Sequence, residues 1–420
     1  MMRFALVNPN WSFEGSIYFG CREPHLPLEF GYAKGLLQRA GHRVLLLDAQ
    51  MADLSEQHCA DILHRFRPDF TVVTTAPSYL FWRCAPPELT VPKKLINAIR
   101  RDANNIVGVG PHASTTPAAT LEKLQVDAVI VGECEEVLPH LTADWDASPS
   151  IFYRRGLPVH RHAADMNALP ALEWPNAMIA AHDHHHHRFD RPFDGPGAEM
   201  EASRGCPYHC TFCAKENFRD TYRRRPLSTI LAELDALIAQ QVKYVYFIDE
   251  IFLPRKDLLQ ALAARHIQIG IQTRIDLWTP EMLDLLADAG CVSIEAGVES
   301  LTEEGRASLD KKCRMNTDEL SDRLIYAKRR IPFVQGNLIK TTSDDPQQVA
   351  DWRDRMRAAG VWANDPVPLF PYPGSPDYTR LWGPPDDYAW ERAHEYYLGN
   401  YSHLSEIQED RPLPLVQLEC

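Results

Sequence analysis

The sequence predicts an α/β protein made of two consecutive βα domains. The first is a Rossmann-like domain over residues 1–140, and the second is a six-unit (β/α) partial barrel over residues 199–375. Three observations carry this reading. Short apolar runs alternate with helical patterns from residue 3 to about 140, the alternation resumes at 199, and the stretch between is rich in Pro and His. Short continuous apolar runs between helices mark parallel strands that are covered on both faces.

In the first series the strands are "FALVNP" (4–9), "RVLLLDA" (43–49), "DFTVVTTA" (69–76), "NIVGVGP" (105–111) and "AVIVGE" (128–133). "LEFGYAKGLLQRAGH" is the helix between the first two. Five such strands build a doubly wound sheet whose ligands sit at the carboxyl ends of the strands. Residues 141–198 read as a linker with a hairpin ("SIFYRRGLPVHRHA") and the run "HDHHHHRFDRPFDGPG". His182 and His184–His187 suit either a metal site or a solvated polar tract.

In the second series the strands are "AEMEAS" (198–203), "YVYFID" (244–249), "IQIGIQTRI" (267–275), "CVSIEAGVES" (291–300), "FVQGNLIK" (333–340) and "VPLFPY" (367–372). "LSTILAELDALIAQQ" and "TPEMLDLLADAG" are helices between them. Active residues of such an architecture are expected at the carboxyl ends of the strands. Residues 376–420 form a C-terminal extension.

Directly after the first strand of the second series, "EASRGCPYHCTFCAKENF" (201–218) places Cys206, Cys210 and Cys213 in a C-x3-C-x2-C spacing. Three thiolates can hold an iron–sulfur cube and leave one iron open, whereas such a cluster commonly takes four. A zinc site completed by His209 or a distant residue is the competing reading, although no second cysteine pair is evident. The arrangement resembles the radical S-adenosylmethionine (radical SAM) superfamily. The resemblance implies that Cys206, Cys210 and Cys213 bind a 4Fe–4S cluster whose open iron chelates S-adenosyl-L-methionine.

Further stretches carry the likeness. Phe212 matches the family's aromatic beside the adenine, and "FIDEIF" (247–252), with Asp249 and Glu250, looks like its acidic second-strand motif. "GVES" (297–300), with Glu299 and Ser300, looks like the fourth-strand motif that contacts the ribose and amino acid. "YPGSP" (372–376) is similar to the late-strand turn, and Arg274 stands at a strand end suited to the cosubstrate carboxylate. Asp249, Glu250 and Glu299 could equally be salt-bridged barrel residues.

A Rossmann-like unit ahead of such a barrel resembles the cobalamin-binding subgroup. "PLEFGYAKGLLQRAGHRVLLLDA" (27–49), "GVGPHAS" (108–114) and "VDAVIVGECEEVLPHL" (126–141) are similar to that subgroup's stretches. The likeness points to Gly110, His112, Gly132 and Glu133 as cofactor contacts. The D-x-H-x-x-G motif that ligates cobalt is absent, and "DAQMADL" stands after the second strand at the matching place. Cobalamin is therefore expected without a histidine below it, or else the domain is a scaffold without a corrin. "PSYLFWRCAPPEL" (77–89) resembles a narrower, arsinothricin-forming set, which moves the 3-amino-3-carboxypropyl group of the cosubstrate onto trivalent arsenic. For that chemistry Cys313 and Cys420 are the candidate substrate thiols, with Cys84 and Cys21 behind them. Each of these cysteines also reads as a small hydrophobe.

Composition excludes other classes. Lys plus Arg number 44 against 57 for Asp plus Glu, a formal charge of −13, which argues against nucleic acid as a partner. No run reaches the ~18 apolar residues of a membrane span. "MMRFALVNPNW" lacks signal-peptide features, so the expectation is a cytoplasmic protein whose ten cysteines are reduced. The resemblance implies an enzyme served by a flavodoxin-like or other low-potential reductant, acting on a small molecule. Methyl transfer and aminocarboxypropyl transfer compete as its reaction, and a non-catalytic cobalamin or redox sensor is the alternative outside catalysis.

Overall fold

A computed structural model describes residues 1–11, 24–78, 89–181 and 195–401. Among these, residues 1–181, 213–220 and 371–401 form one compact unit, and residues 195–212 and 221–370 form the other.

In the first unit, strands β1 (Arg3–Asn8), β2 (Arg43–Asp48), β3 (Phe70–Thr74), β4 (Asn105–Val109) and β5 (Ala128–Ile130) are parallel. A short β6 (Ile151–Phe152) closes the edge antiparallel to β5, giving the order β2-β1-β3-β4-β5-β6. The alternation of side chains along each strand explains the continuous apolar runs. Ala5, Val7, Val73, Ile106 and Val129 face a core filled by Leu63, Leu95, Ile96 and Leu124. Phe4, Leu6, Val72, Val107 and Ile130 face an opposite core with Phe30, Ala33 and Leu37. Both faces are covered, so the strands are mostly apolar, and a polar residue such as Thr71 is kept by a hydrogen bond to Ala103 O. The order reverses between β1 and β3, and an open α/β sheet takes its ligands at the carboxyl ends beside that reversal.

Residues 149–162 differ from a regular hairpin. The chain turns back through a bond from His160 N to Pro149 O, and its one paired strand, β6, joins β5. His162 then bridges Gly132 in parallel. The edge of β5 thus takes up backbone that would otherwise lack partners. The His182–His187 run lies outside the described residues.

In the second unit, β7 (Gly197–Met200), β10 (Tyr244–Phe247), β11 (Gln268–Thr273), β12 (Cys291–Glu299), β13 (Phe333–Leu338) and β14 (Trp362–Ala363) lie side by side in chain order, all parallel. A small ribbon, β8 (Ser203–Arg204) with β9 (Arg223–Arg224), stands beside the end of β7. The helices are set by local signals. Thr279 caps Pro280–Asp288, and Asn316 and Glu319 form a reciprocal capping box at Thr317–Arg330. The sixth strand is a correction to the sequence reading. It is Trp362–Ala363, whereas "VPLFPY" makes only a single bridge from Val367 to Ile339. Pro366, Pro368 and Pro371 supply no N–H to a ladder, so that apolar stretch builds no regular strand.

Candidate active site

After β7 the chain turns through residues 202–205 into the cysteine loop, and two acids following β10 hold this turn. Asp249 is buried and accepts from Ala202 N at 2.9 Å and from the Ser203 hydroxyl at 2.5 Å. Glu250 accepts from Gly205 N at 2.9 Å. Burial pushes the Asp249 carboxyl up to about 8, the two hydrogen bonds oppose this, and the nearby Glu201 and Glu250 add to it. Gly205 has φ of 78°, and a Cβ there would lie 2.2 Å from the Thr221 carbonyl oxygen. Only glycine fits that turn.

Cys206, Cys210 and Cys213 are half-buried and in no disulfide. Thr211 N donates to Leu309 O at 3.0 Å, so the loop rests on the segment that follows β12. That segment carries Lys311, whose buried ammonium lies 3.0 Å from Glu299. Burial raises the Cys210 thiol, and Lys311 is the largest charge drawing it back down. Glu299 itself sits at a bulge of β12 with φ of 69°.

Arg274, one residue beyond β11, forks onto Asp276 at 3.1 and 2.8 Å and donates to Lys311 O at 2.5 Å. Its guanidinium lies 4.0 Å from the ring centre of Tyr208. The Ser300 hydroxyl donates to Asp344 at 2.8 Å, and the same Asp344 oxygen takes Leu301 N and Thr302 N, so Ser300 serves the turn after β12. Cys313 is half-buried, and its thiol, raised by burial, donates to Met315 O at 3.6 Å. Phe212 is half-buried. Cys420, Cys84 and Cys21 lie outside the described residues.

At the carboxyl edge of the first unit, Asn8 ends β1 and bonds Asp48 at 3.0 Å while accepting from Trp11 at 2.9 Å. Thr75, just past β3, keeps a buried hydroxyl without a partner among the described residues. Gly110 ends β4 with φ of 122°. His112 is buried 4.1 Å, centre to centre, from the Trp390 ring, and Trp390 donates to Thr116 at 3.0 Å. Gly132 has φ of 88°, and a Cβ there would meet the His162 carbonyl oxygen at 2.2 Å. The parallel bridge to His162 therefore requires this glycine. Glu133 is buried and accepts from Ala164 N at 2.6 Å. It also lies 3.4 Å from Arg219, which in turn bonds Glu29 at 2.8 Å. Ser78 donates to that same Glu29.

A model of the radical SAM superfamily matches residues 200–352, and a model of the B12 binding domain matches residues 21–142. The chain carries a radical SAM domain and a B12-binding domain. The chain is 24% identical over 318 residues to an uncharacterized methyltransferase of Pyrococcus horikoshii, covering 71% of this chain and 66% of that one. It is also 24% identical over 391 residues to the anaerobic magnesium-protoporphyrin IX monomethyl ester cyclase of Rubrivivax gelatinosus, covering 84% and 67%. The chain thus spans about two thirds of the length of these curated relatives. Among solved structures, it is similar to the radical SAM methyltransferase TsrM of Kitasatospora setae, determined with cobalamin and a [4Fe-4S] cluster. The TM-score is 0.69 at 18% identity, covering 89% of this chain and 76% of that one.

The residues present fit the cofactors of this family. Three half-buried cysteines in no disulfide, with Lys311 drawing the Cys210 thiol down, have the chemistry that suits iron. The Thr75 hydroxyl, without a partner among the described residues, lies at the sheet's carboxyl edge, where open α/β sheets take their ligands. Of the residues read from sequence, the radical SAM unit brings Cys206, Cys210, Glu299, Arg274, Asp249 and Glu250 to one end of its sheet. It commits Ser300 to internal bonding. In the B12-binding unit, Gly132 and Glu133 serve the fold's own contacts and His112 lies against Trp390. Sequence reading missed Lys311, Tyr208, Arg219 and Glu29. Glu29 did carry a signal: it stands between Leu28 and Phe30 on an otherwise apolar stretch, and a buried acid needs a partner.

Proposed function

We propose that this chain is a cobalamin-dependent radical SAM methylase acting on a small molecule, with its domains at 1–140 and 199–375. The observation that carries the reading is the loop of three half-buried cysteines, none in a disulfide, at the carboxyl end of a barrel strand, in a chain with a B12-binding domain. In this reading Cys206, Cys210 and Cys213 hold the 4Fe–4S cluster, and the edge lined by Thr75 and Gly110 takes the corrin. When bound, these groups supply reductive cleavage of S-adenosylmethionine and a transferable methyl group.

The chain's own residues set the conditions for that chemistry. Asp249 and Glu250 fix the backbone leading into the cysteine loop, so the thiolates are positioned before any ligand arrives. Lys311 places a buried positive charge beside Cys210 and offsets the negative charge of the thiolates. The Glu299 carboxylate, held by Lys311, offers its remaining lone pairs to amine or hydroxyl donors of the cosubstrate. A low-potential reductant of the flavodoxin kind and a cytoplasmic setting complete the reading.

Anaerobic reconstitution with iron, sulfide and hydroxocobalamin, followed by dithionite and S-adenosylmethionine, tests it. Retained corrin absorbance together with 5′-deoxyadenosine and S-adenosylhomocysteine is the expected outcome. With arsenite added, 5′-methylthioadenosine and an aminocarboxypropyl arsenical would replace the methylase reading by arsenic alkylation. Cys210→Ala is expected to lose the iron chromophore, and full iron retention in that variant would refute the cluster assignment.

A further inference from the structure

The contacts of Arg274 answer a question that its position leaves open. A strand-end arginine in such a site suits a cosubstrate carboxylate, yet all three of its guanidinium nitrogens have protein partners. Nε and Nη2 fork onto Asp276, and Nη1 donates to the Lys311 carbonyl. A planar face of the group stacks on Tyr208, which stands between Cys206 and Cys210. The loop is joined to the same segment a second time, through Thr211 N to Leu309 O.

We infer that Arg274 is a positioning residue of the cysteine loop, clamping Tyr208 against the segment that carries Lys311. The inference rests on the cluster reading of Cys206, Cys210 and Cys213. The chemistry of the side chain suits the task. A guanidinium offers a flat cation for an aromatic face while its edge keeps fixed hydrogen bonds, and a lysine cannot do both. Asp276, whose side chain is 8% exposed, fixes the plane of the guanidinium. Tyr208 needs only its ring for this contact, because the cation lies over the ring centre.

The test uses the full-length chain, first without iron. Alkylation of Cys206 and Cys210 by iodoacetamide, followed by mass spectrometry, reports how well the loop is held. Arg274→Lys and Tyr208→Ala are expected to speed alkylation on the order of tenfold, the scale of a lost cation–ring contact with its hydrogen bonds. Tyr208→Phe, which keeps the ring, is expected to match the unaltered chain. The Arg274→Lys/Tyr208→Ala double variant should be no faster than either single change, because both remove one contact. Circular dichroism melts establish that each variant is folded, and the Tyr208 pair carries the test should Arg274→Lys fail to fold.

Unchanged alkylation in Arg274→Lys with weakened S-adenosylmethionine binding would overturn the inference and return Arg274 to the cosubstrate. Equal behaviour of Tyr208→Ala and Tyr208→Phe would also overturn it. The cluster reading is checked separately. Iron loading of the unaltered chain must protect the same cysteines, and failure there would sink the cluster assignment whatever the iron-free variants do.

Discussion

Asp249 holds the entrance to the cysteine loop, burial favours its neutral acid, and Asp249→Asn should therefore match the unaltered chain in acid and exceed it in stability as pH rises. Its carboxyl is pushed from 3.8 to about 8, chiefly by burial. The folded chain keeps a proton that the unfolded chain has released between about pH 4 and pH 8, so this group's contribution to stability falls as pH rises through that window. The slope is ~1.4 kcal/mol per pH unit, and ionising the acid inside the fold costs at most ~6 kcal/mol over the whole interval. Asn is isosteric with the neutral acid: its Oδ1 accepts from Ala202 N, and its Nδ2 donates to the Ser203 oxygen, which reverses the sense of that bond as the acid's own proton would. Urea unfolding of the iron-free chain and of Asp249→Asn at pH 5.5 and pH 7.5 measures the difference. The unaltered chain should lose up to ~2.7 kcal/mol relative to the variant between those two values. Parallel loss in both proteins would show that Asp249 is ionised in the fold and that the argument from burial is wrong.

Gly205→Ala is expected to displace the turn into the loop, since its Cβ would fall 2.2 Å from the Thr221 carbonyl oxygen at a positive φ. Iron per chain after reconstitution should drop, and full retention would show that the turn adapts. Arg219→Met leaves Glu29 and Glu133 buried without their cation, at a cost of ~3–5 kcal/mol in urea unfolding. Adding Glu29→Gln and Glu133→Gln to that variant should restore most of the loss. An unrelieved deficit would mean that the guanidinium acts through packing and not through charge.

Much of the fold was legible because its signals are local. The five N-terminal strands announce themselves as apolar runs, and the two cores on opposite faces of that sheet are the reason those runs have no polar alternation. The sixth barrel strand was misplaced because "VPLFPY" satisfies the hydrophobic pattern while its prolines cannot satisfy the ladder. Trp362–Ala363 is two residues long and carries no periodic signal of its own. Residues 149–162 look like a hairpin for a similar reason: the pattern of a turn between apolar residues is local, and the exposed edge of β5 that captures Ile151–Phe152 is not.

At the site, the cysteine spacing was legible and the groups packed around it were not. A C-x3-C-x2-C spacing is a property of eight consecutive residues, whereas Lys311 comes within reach of Glu299 only because β12 ends in a bulge and the chain doubles back. The same distinction separates what an acid or a glycine is from what it does. Glu133 and Gly132 stand where a cofactor contact was expected, yet a buried arginine claims the first and a crossing backbone requires the second. Arg274, read from sequence as a cosubstrate contact, has a protein partner on each of its guanidinium nitrogens. Charged side chains at the end of a sheet must first satisfy one another after leaving water, and only the bonding capacity left over can serve a ligand. By that criterion Glu299, with one oxygen on Lys311, has capacity to spare. Ser300, with its hydroxyl committed to Asp344, does not. The two neighbours in "GVES" should therefore respond differently to substitution, with Glu299 governing cosubstrate affinity and Ser300 governing the stability of the turn.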